Sequence, residues 1–273
     1  MFDTIIIGGG PAGLSAAITA RQRGMDAVVV SNDSKFSGLY KAAEVRNYPG
    51  FPVVSGAGLL ESLAAHAQDM GAELIIGKVS TIMSAEGLFY AGYGSEIIQA
   101  KTLVLATGVA QSSMFPGEER LLGKGVSYCA TCDGMLYRGK RICVVCLSPE
   151  AGSEADYLSS IGCDVLCLEG STIKHGISIN GDERVVSVTA DGKEIECSGV
   201  FIFRKVIAPN LLLPNLTMQS GHIKAERMGE TSIPGVFAAG DCVGEPYQIA
   251  KAVGEGLKAA LAADEYVAKK GKL

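Results

Sequence analysis

The chain has no tryptophan, no basic excess and no apolar run long enough to cross a bilayer, and each absence narrows what it can be. Its formal net charge is −5, which argues against a nucleic-acid binder, because phosphate affinity rests on clustered Lys and Arg. The nearest basic cluster, Arg138–Gly139–Lys140–Arg141, reads either as a solvated turn before a strand or as a docking patch for an acidic partner. Residues 4 to 20 are apolar, but they contain Gly8, Gly9, Gly10 and Pro11 and have no basic leader. They read as strand, turn and helix, not as a secretory or membrane segment. The expected setting is therefore cytoplasmic and reducing. In it, a chosen pair among the eight cysteines is catalytic or metal-binding before it is a structural staple.

What is present describes an α/β protein rich in tight turns: 48% apolar residues, 19% charged and 35 glycines over 273 residues, enough for one large or two modest domains. Strands are expected at Phe2–Ile7, Ala27–Val30, Thr102–Thr107, Arg141–Leu147, Asp164–Leu168, Gly199–Phe203 and Val236–Ala239. Helices are expected at Pro11–Arg23, Ala151–Ile161 and Glu255–Lys269. Repeated β–α–β units of this kind imply a parallel sheet covered by helices. Pro116–Gly117 and Pro209–Asn210 mark candidate boundaries.

Ile5–Ile6–Ile7–Gly8–Gly9–Gly10–Pro11–Ala12–Gly13 ends a strand and opens a helix. Gly8, Gly10 and Gly13 have the spacing of a dinucleotide fingerprint. One glycine makes the turn, one admits a pyrophosphate close to the backbone, and one lets helix and strand pack closely. The second strand ends at Ser31–Asn32–Asp33 where such sites usually place an acidic residue for a ribose hydroxyl.

Cys129–Ala130–Thr131–Cys132–Asp133–Gly134 is the most informative hexapeptide. Two cysteines so spaced can close a small disulfide ring, and the first thiol of such a pair often has a lowered pKa. Asp133 can relay the protons that dithiol–disulfide exchange must move. Cys143 and Cys146 repeat the spacing, which raises a zinc ribbon as the rival. No Gly or Pro interrupts Cys143–Val144–Val145–Cys146, however, and residues i and i+3 of a strand face opposite sides of the sheet. No metal site is expected. Cys163, Cys167, Cys197 and Cys242 read as small apolar residues of the core.

With Glu44–Val45–Arg46–Asn47–Tyr48–Pro49–Gly50, Ala106–Thr107–Gly108 and Gly235–Val236–Phe237–Ala238–Ala239–Gly240–Asp241 added to these motifs, the chain resembles the low-molecular-weight thioredoxin reductases over nearly its whole length. The resemblance implies an α/β fold of two Rossmann-like, three-layer ββα domains. A discontinuous FAD domain would span residues 1–113 and 208–273, and a shortened central domain, residues 114–207, would carry the cysteines. It implies FAD, a homodimer, and transfer of electrons from reduced flavin through Cys129 and Cys132 to the disulfide of thioredoxin or a similar small protein. By position it puts Gly8, Gly10, Pro11, Ala12, Gly13, Ser31 and Asn32 at the cofactor, with Gly38, Leu39 and Asn47 near the flavin. Ala106, Thr107 and Gly108 join them, Gly240 and Asp241 lie at the ribityl or phosphate region, and Gln248 and Ile249 at the flavin ring. The family usually has arginine before that glutamine; here the position is Tyr247.

The central domain departs further. Cys146–Leu147–Ser148–Pro149–Glu150–Ala151 stands where the family has a glycine-rich NADPH fingerprint, and Glu169–Gly170–Ser171 replaces its basic 2′-phosphate grip. Side chains fill the pyrophosphate space, Pro149 lacks an N–H, and a carboxylate repels the phosphate. The chain is most like the ferredoxin-dependent flavin thioredoxin reductases. In this reading ferredoxin is the electron donor, and Lys124, Arg138, Lys140 and Arg141 are its docking face. Two alternatives stay open: an NAD(P)H-linked reductase with an atypical nucleotide site, and a non-enzymatic flavin redox sensor. Hinges for a domain rotation are expected near residues 109–118 and 204–212.

Overall fold

The computed structural model describes residues 1–109, 114–148, 151–169, 176–204 and 207–270. In chain order the first elements are β1 (Phe2–Ile7), α1 (Pro11–Gln22), β2 (Ala27–Ser31), α2 (Gly56–Asp69), β3 (Glu73–Ile76), β4 (Val79–Ala85), β5 (Leu88–Tyr93) and β6 (Glu96–Leu105). Then come α3 (Glu118–Leu121), β7 (Val126–Ser127), α4 (Ala130–Asp133), β8 (Arg141–Leu147), α5 (Ala151–Ser160) and β9 (Asp164–Glu169). Three short strands, β10 (Ile177–Asn180), β11 (Ser187–Ala190) and β12 (Lys193–Glu196), lead to β13 (Gly199–Arg204). The chain ends with α6 (Pro209–Leu212), β14 (Met218–Gln219), β15 (His222–Ile223), β16 (Val236–Ala238) and α7 (Ile249–Lys270).

Two compact units result: Met1–Ala110 with Ala208–Leu273, and Gln111–Ile207. In the first, β1 pairs in parallel with β2 and β6, and the sheet runs β3-β2-β1-β6-β5-β4, with β16 also on β6. The apolar run of β1 is buried at Ile5, Ile6 and Ile7 because the strand is central and covered on both faces. β6 begins as the last strand of an antiparallel meander with β5 and continues into the parallel sheet. Helices α1 and α7 cover one face through small residues, Ala16, Ala17 and Ala20 clustering with Ala259, Ala260 and Ala263. A Cβ at Gly256 would stand 2.0 Å from Ala12 O, so only glycine permits this approach.

That contact corrects one expectation. α7 starts at Ile249, not at Glu255. Gly254 and Gly256 weaken the helical pattern in the sequence, but packing on α1 supplies what propensity does not.

In the second unit four parallel strands are ordered β7-β13-β8-β9, and β10-β11-β12 forms a separate antiparallel sheet. Ile142, Val144, Phe201 and Phe203 pack under Ala151, Ala155 and Leu158 of α5. β7 is two residues long and delivers the chain directly to Cys129. Cys163, Cys197 and Cys242 are buried as expected, whereas Cys167 is exposed, because among the described residues β9 is the edge strand of its sheet. Positions 149–150 and 170–171, where the fingerprint and the basic grip are replaced, lie outside the described residues, as does part of each expected hinge.

Candidate functional site

The turn after β1 is shaped by its glycines. Gly8 has φ +115°, and a Cβ there would lie 2.1 Å from Ala106 O. A Cβ at Gly13 would lie 1.8 Å from Gly8 O. Gly10 differs: nothing lies within 4 Å of the Cβ it lacks, and it caps α1 with Pro11 in the first turn. Gly8 and Gly13 are therefore glycine for the protein's own backbone. Gly10 opens onto free space at a helix N-terminus, the place where an anion is favoured. Ala12 is buried behind it.

Other residues expected at this end of the sheet gather around the same strand ends. Ser31 closes β2, and its Oγ would stand 2.5 Å from a Cβ at Gly9. Asn32 is half-buried. Ala106 donates its N–H to Ile7 O at 2.8 Å. The next hydroxyl, Thr107 Oγ1, is buried without a hydrogen-bond partner; the Cys242 thiol lies beside it and is a weak donor and acceptor at best. Gly108 takes φ +71°. Gly38 is open, and Leu39 packs on the core cluster that contains α1.

The C-terminal half contributes a braced loop. Gly240 donates to Glu255 Oε2 at 2.9 Å, and Lys251 Nζ donates to Gly240 O at 3.2 Å and Gly244 O at 2.6 Å. Burial pushes the Asp241 carboxyl up, with Lys251 opposing the shift and Glu255 adding to it. Gln248 and Ile249 sit at the start of α7, and Gln248 Oε1 accepts from Asn47 Nδ2 at 2.9 Å across 201 residues of sequence. Tyr247 Oη lies 2.8 Å from His222 Nε2, whose Nδ1 lies 3.0 Å from Ser220 O. A carbonyl only accepts, so in the neutral ring Nδ1 carries the proton and Nε2 accepts from the phenol. A tyrosine–histidine pair thus stands where the family's arginine was expected.

In the second unit Cys129 and Cys132 form a disulfide with S–S 2.05 Å. Cys129 caps α4, and its sulfur accepts the Cys132 N–H at 3.1 Å and lies 3.4 Å from Thr131 Oγ1. Cys132 is exposed and Cys129 half-buried. Asp133 Oδ2 accepts from Ser127 Oγ at 2.6 Å, and Ser127 Oγ accepts the Cys129 N–H at 3.1 Å. Ser127 was not among the expected site residues; its place two residues before Cys129, at the end of a strand, is the signal that pointed to it. The disulfide with a carboxylate fixed beside it can exchange with a second disulfide and move the accompanying protons.

A family model for pyridine nucleotide-disulphide oxidoreductases matches residues 2–175 and 170–256. The chain belongs to this family. Thioredoxin reductase from Aquifex aeolicus is 32% identical over 100% of this chain and 95% of its own length. That from Bacillus subtilis is 29% identical over 98% and 95%. Among solved structures, a ferredoxin-flavin thioredoxin reductase from Clostridium acetobutylicum aligns at TM-score 0.88 with 37% identity, covering 100% of this chain and 99% of that one. The chain is therefore a thioredoxin-reductase-like disulfide oxidoreductase, and the cofactor of this family is FAD.

The first unit fits FAD. Gly10 leaves room at a helix N-terminus, Thr107 Oγ1 is a buried hydroxyl without a hydrogen-bond partner after the end of β6, and Asn47 and Gln248 offer a bonded pair of amides in the same unit. Gly10→Val is expected to fold normally and to purify without its yellow colour, since a Cβ at this position has no protein atom within 4 Å. Circular dichroism and bound flavin measured on one sample check this. Retained flavin would show that the pyrophosphate does not sit over Gly10.

Proposed function

We propose that this protein reduces the disulfide of thioredoxin or a similar small protein through Cys129 and Cys132, with electrons supplied by ferredoxin instead of NADPH. In this reading residues 1–113 and 208–273 hold FAD, residues 114–207 carry the redox pair, and the protein works as a homodimer in the cytoplasm. Among the described residues no helix is long and apolar enough to cross a membrane. FAD, when bound, supplies the step between a one-electron donor and a two-electron disulfide.

The observation that carries the choice of donor is the segment at the end of β8. In sequence, Cys146–Leu147–Ser148–Pro149–Glu150–Ala151 carries side chains and a proline in place of the family's glycine-rich fingerprint, whose open N–H groups a nucleotide phosphate needs. The likeness to a protein named for ferredoxin supports it, as do Lys124, Lys140 and Arg141, which lie on the walls of one groove of the second unit. Arg138 follows the redox segment on the adjoining turn.

On reduction the Cys129 sulfur keeps the Cys132 N–H and the Thr131 hydroxyl close by. Both are groups that can donate a hydrogen bond to that sulfur. The proposed attack on the acceptor forms a mixed disulfide, which the remaining thiol resolves. Asp133, held by Ser127, is placed to give and take the proton.

Anaerobic mixing tests the donor. Reduced ferredoxin is expected to bleach the flavin band and NADPH to leave it unchanged. Prompt bleaching by NADPH would overturn the reading in favour of an atypical nucleotide site.

A further inference from the structure

Six cysteines stand outside the Cys129–Cys132 disulfide, and four of them meet in thiol pairs at β8. Cys143 and Cys146, whose spacing looked like half a zinc site, depart from that strand on opposite faces. Cys143 lies beside Cys197, and Cys146 lies beside Cys167.

The two pairs are chemically unlike. Burial pushes the Cys146 thiol up to about 11, and the neighbouring Cys167 and Glu169 add to the effect. Such a thiol is a poor nucleophile, because the thiolate is the reactive form. Cys197 has the opposite surroundings. Its backbone is fixed by Cys197 N to Val186 O at 3.1 Å and Ser198 N to Arg141 O at 2.8 Å. The neighbouring Cys143 thiol and the nearby backbone N–H groups of Gly199 and Cys143 draw its thiol below the ordinary range against the cost of burial. The Cys143 thiol, enclosed beside Cys197, is held up by that neighbour and by burial.

Cys197 also has access that Cys143 lacks. It lines a groove of about 1050 Å³ whose other walls include Lys124, Lys140 and Arg184, while Cys143 is fully enclosed behind it. Asp164, Glu194 and Glu196 line the same groove. Asp164 is paired with Arg141 at 2.8 Å, and Glu194 accepts from Ser187 Oγ at 2.6 Å. The groove carries charges of both signs, so it sets no charge requirement that a small uncharged oxidant would fail to meet.

We propose that Cys197 and Cys143 are a second redox-active thiol pair, with Cys197 the nucleophile toward hydrogen peroxide entering from the groove and Cys143 the resolving thiol. The Cys197 thiolate attacks one peroxide oxygen; the S–O bond forms and the O–O bond breaks. Sulfur is oxidised by two electrons to a sulfenic acid, and the hydroxide released takes a proton to leave as water. Cys143 then attacks that sulfur; the S–S bond forms, the S–O bond breaks, and the second hydroxide leaves as water with the Cys143 proton. Two thiols and one peroxide become one disulfide and two waters. The pair works independently of which donor supplies Cys129–Cys132.

The test uses the full-length chain with Cys129→Ser and Cys132→Ser, so that the six remaining cysteines are the only thiols. After one equivalent of hydrogen peroxide, thiols are blocked and the cysteine peptides mapped by mass spectrometry. The expected result is a Cys143–Cys197 disulfide with Cys167 still reduced. With Cys143→Ala added, dimedone is expected to trap a sulfenic acid on Cys197. The exposed Cys167 is the internal control. Oxidation of Cys167 ahead of Cys197, or of Cys197 to sulfinic acid without the disulfide, would overturn the proposal. The first map needs no change at either cysteine of the pair, so poor folding of the Cys143 variant does not rescue the idea.

Discussion

Arg204→Met is expected to destabilise the second unit by about 3–5 kcal/mol, the usual cost of stripping one partner from a buried ion pair. Glu118 is fully buried and Arg204 nearly so. The guanidinium bridges both carboxylate oxygens, with Arg204 Nη2 2.7 Å from Glu118 Oε2 and Nη1 on Oε1. Tyr128 Oη donates to Oε1 at 2.8 Å, and Phe115 N donates to Oε2 at 2.8 Å. The guanidinium also lies 4.7 Å from the centre of the Phe115 ring. Burial and the Glu118 charge raise the Tyr128 phenol well above its ordinary range, so it acts only as a donor. Methionine removes the positive charge and leaves a carboxylate that water cannot reach. Glu118→Gln with Arg204→Met removes the stranded charge while the amide oxygen still accepts, so the double variant should lie well above the single one. Urea midpoints together with amide exchange at β7 and β13 measure the difference. Equal loss in both variants would mean that the charge pair is not what stabilises this corner. The cluster joins the entry of the unit at Phe115 and Glu118 to its last strand at Arg204, and Tyr128 is the residue before Cys129.

The legible parts of the protein are local. β1, its glycine turn and α1 can be read because an apolar run, three glycines and a proline act within a dozen neighbouring positions. β8 and the Cys129–Cys132 segment are legible for the same reason. What the sequence hides are partnerships made by the fold. Asn47 and Gln248 meet across 201 residues, and no periodicity encodes that. Cys143 and Cys197 are brought together only because β13 pairs with β8, so that Val200 lies opposite Cys143. Cys167 reads as core by its neighbours Leu166 and Leu168, yet β9 is an edge strand and leaves it in solvent. α2 begins on a Ser55 side chain that accepts the Gly58 N–H at 3.1 Å, a cap concealed by the glycines around it. Glu118 looks like a surface carboxylate beside Glu119 in the sequence, and only Arg204, 86 positions on, makes its burial tolerable.

Asp133→Asn is expected to slow thioredoxin turnover by about 10²–10⁴-fold, the usual weight of a positioned general acid or base. When the dithiol attacks a disulfide, the attacking sulfur must lose a proton and the leaving sulfur must gain one. Asp133 follows Cys132 directly, and its orientation is set by the 2.6 Å bond from Ser127 Oγ, which is itself fixed by the Cys129 N–H at 3.1 Å. Asparagine keeps the shape and can still accept from Ser127, but it cannot carry the proton. The fall should therefore appear in kcat with KM for thioredoxin little changed, and bound flavin should stay at the wild-type level. Ser127→Ala leaves the carboxylate in place and loosens it, so its effect should be smaller and in the same direction. Stopped-flow reoxidation of the dithiol by oxidised thioredoxin separates the two, with the Asn variant slowed more than the Ala variant. An Asn variant with an unchanged kcat and a raised KM would place Asp133 in acceptor binding instead, and the proton would then have to travel through solvent at the exposed Cys132.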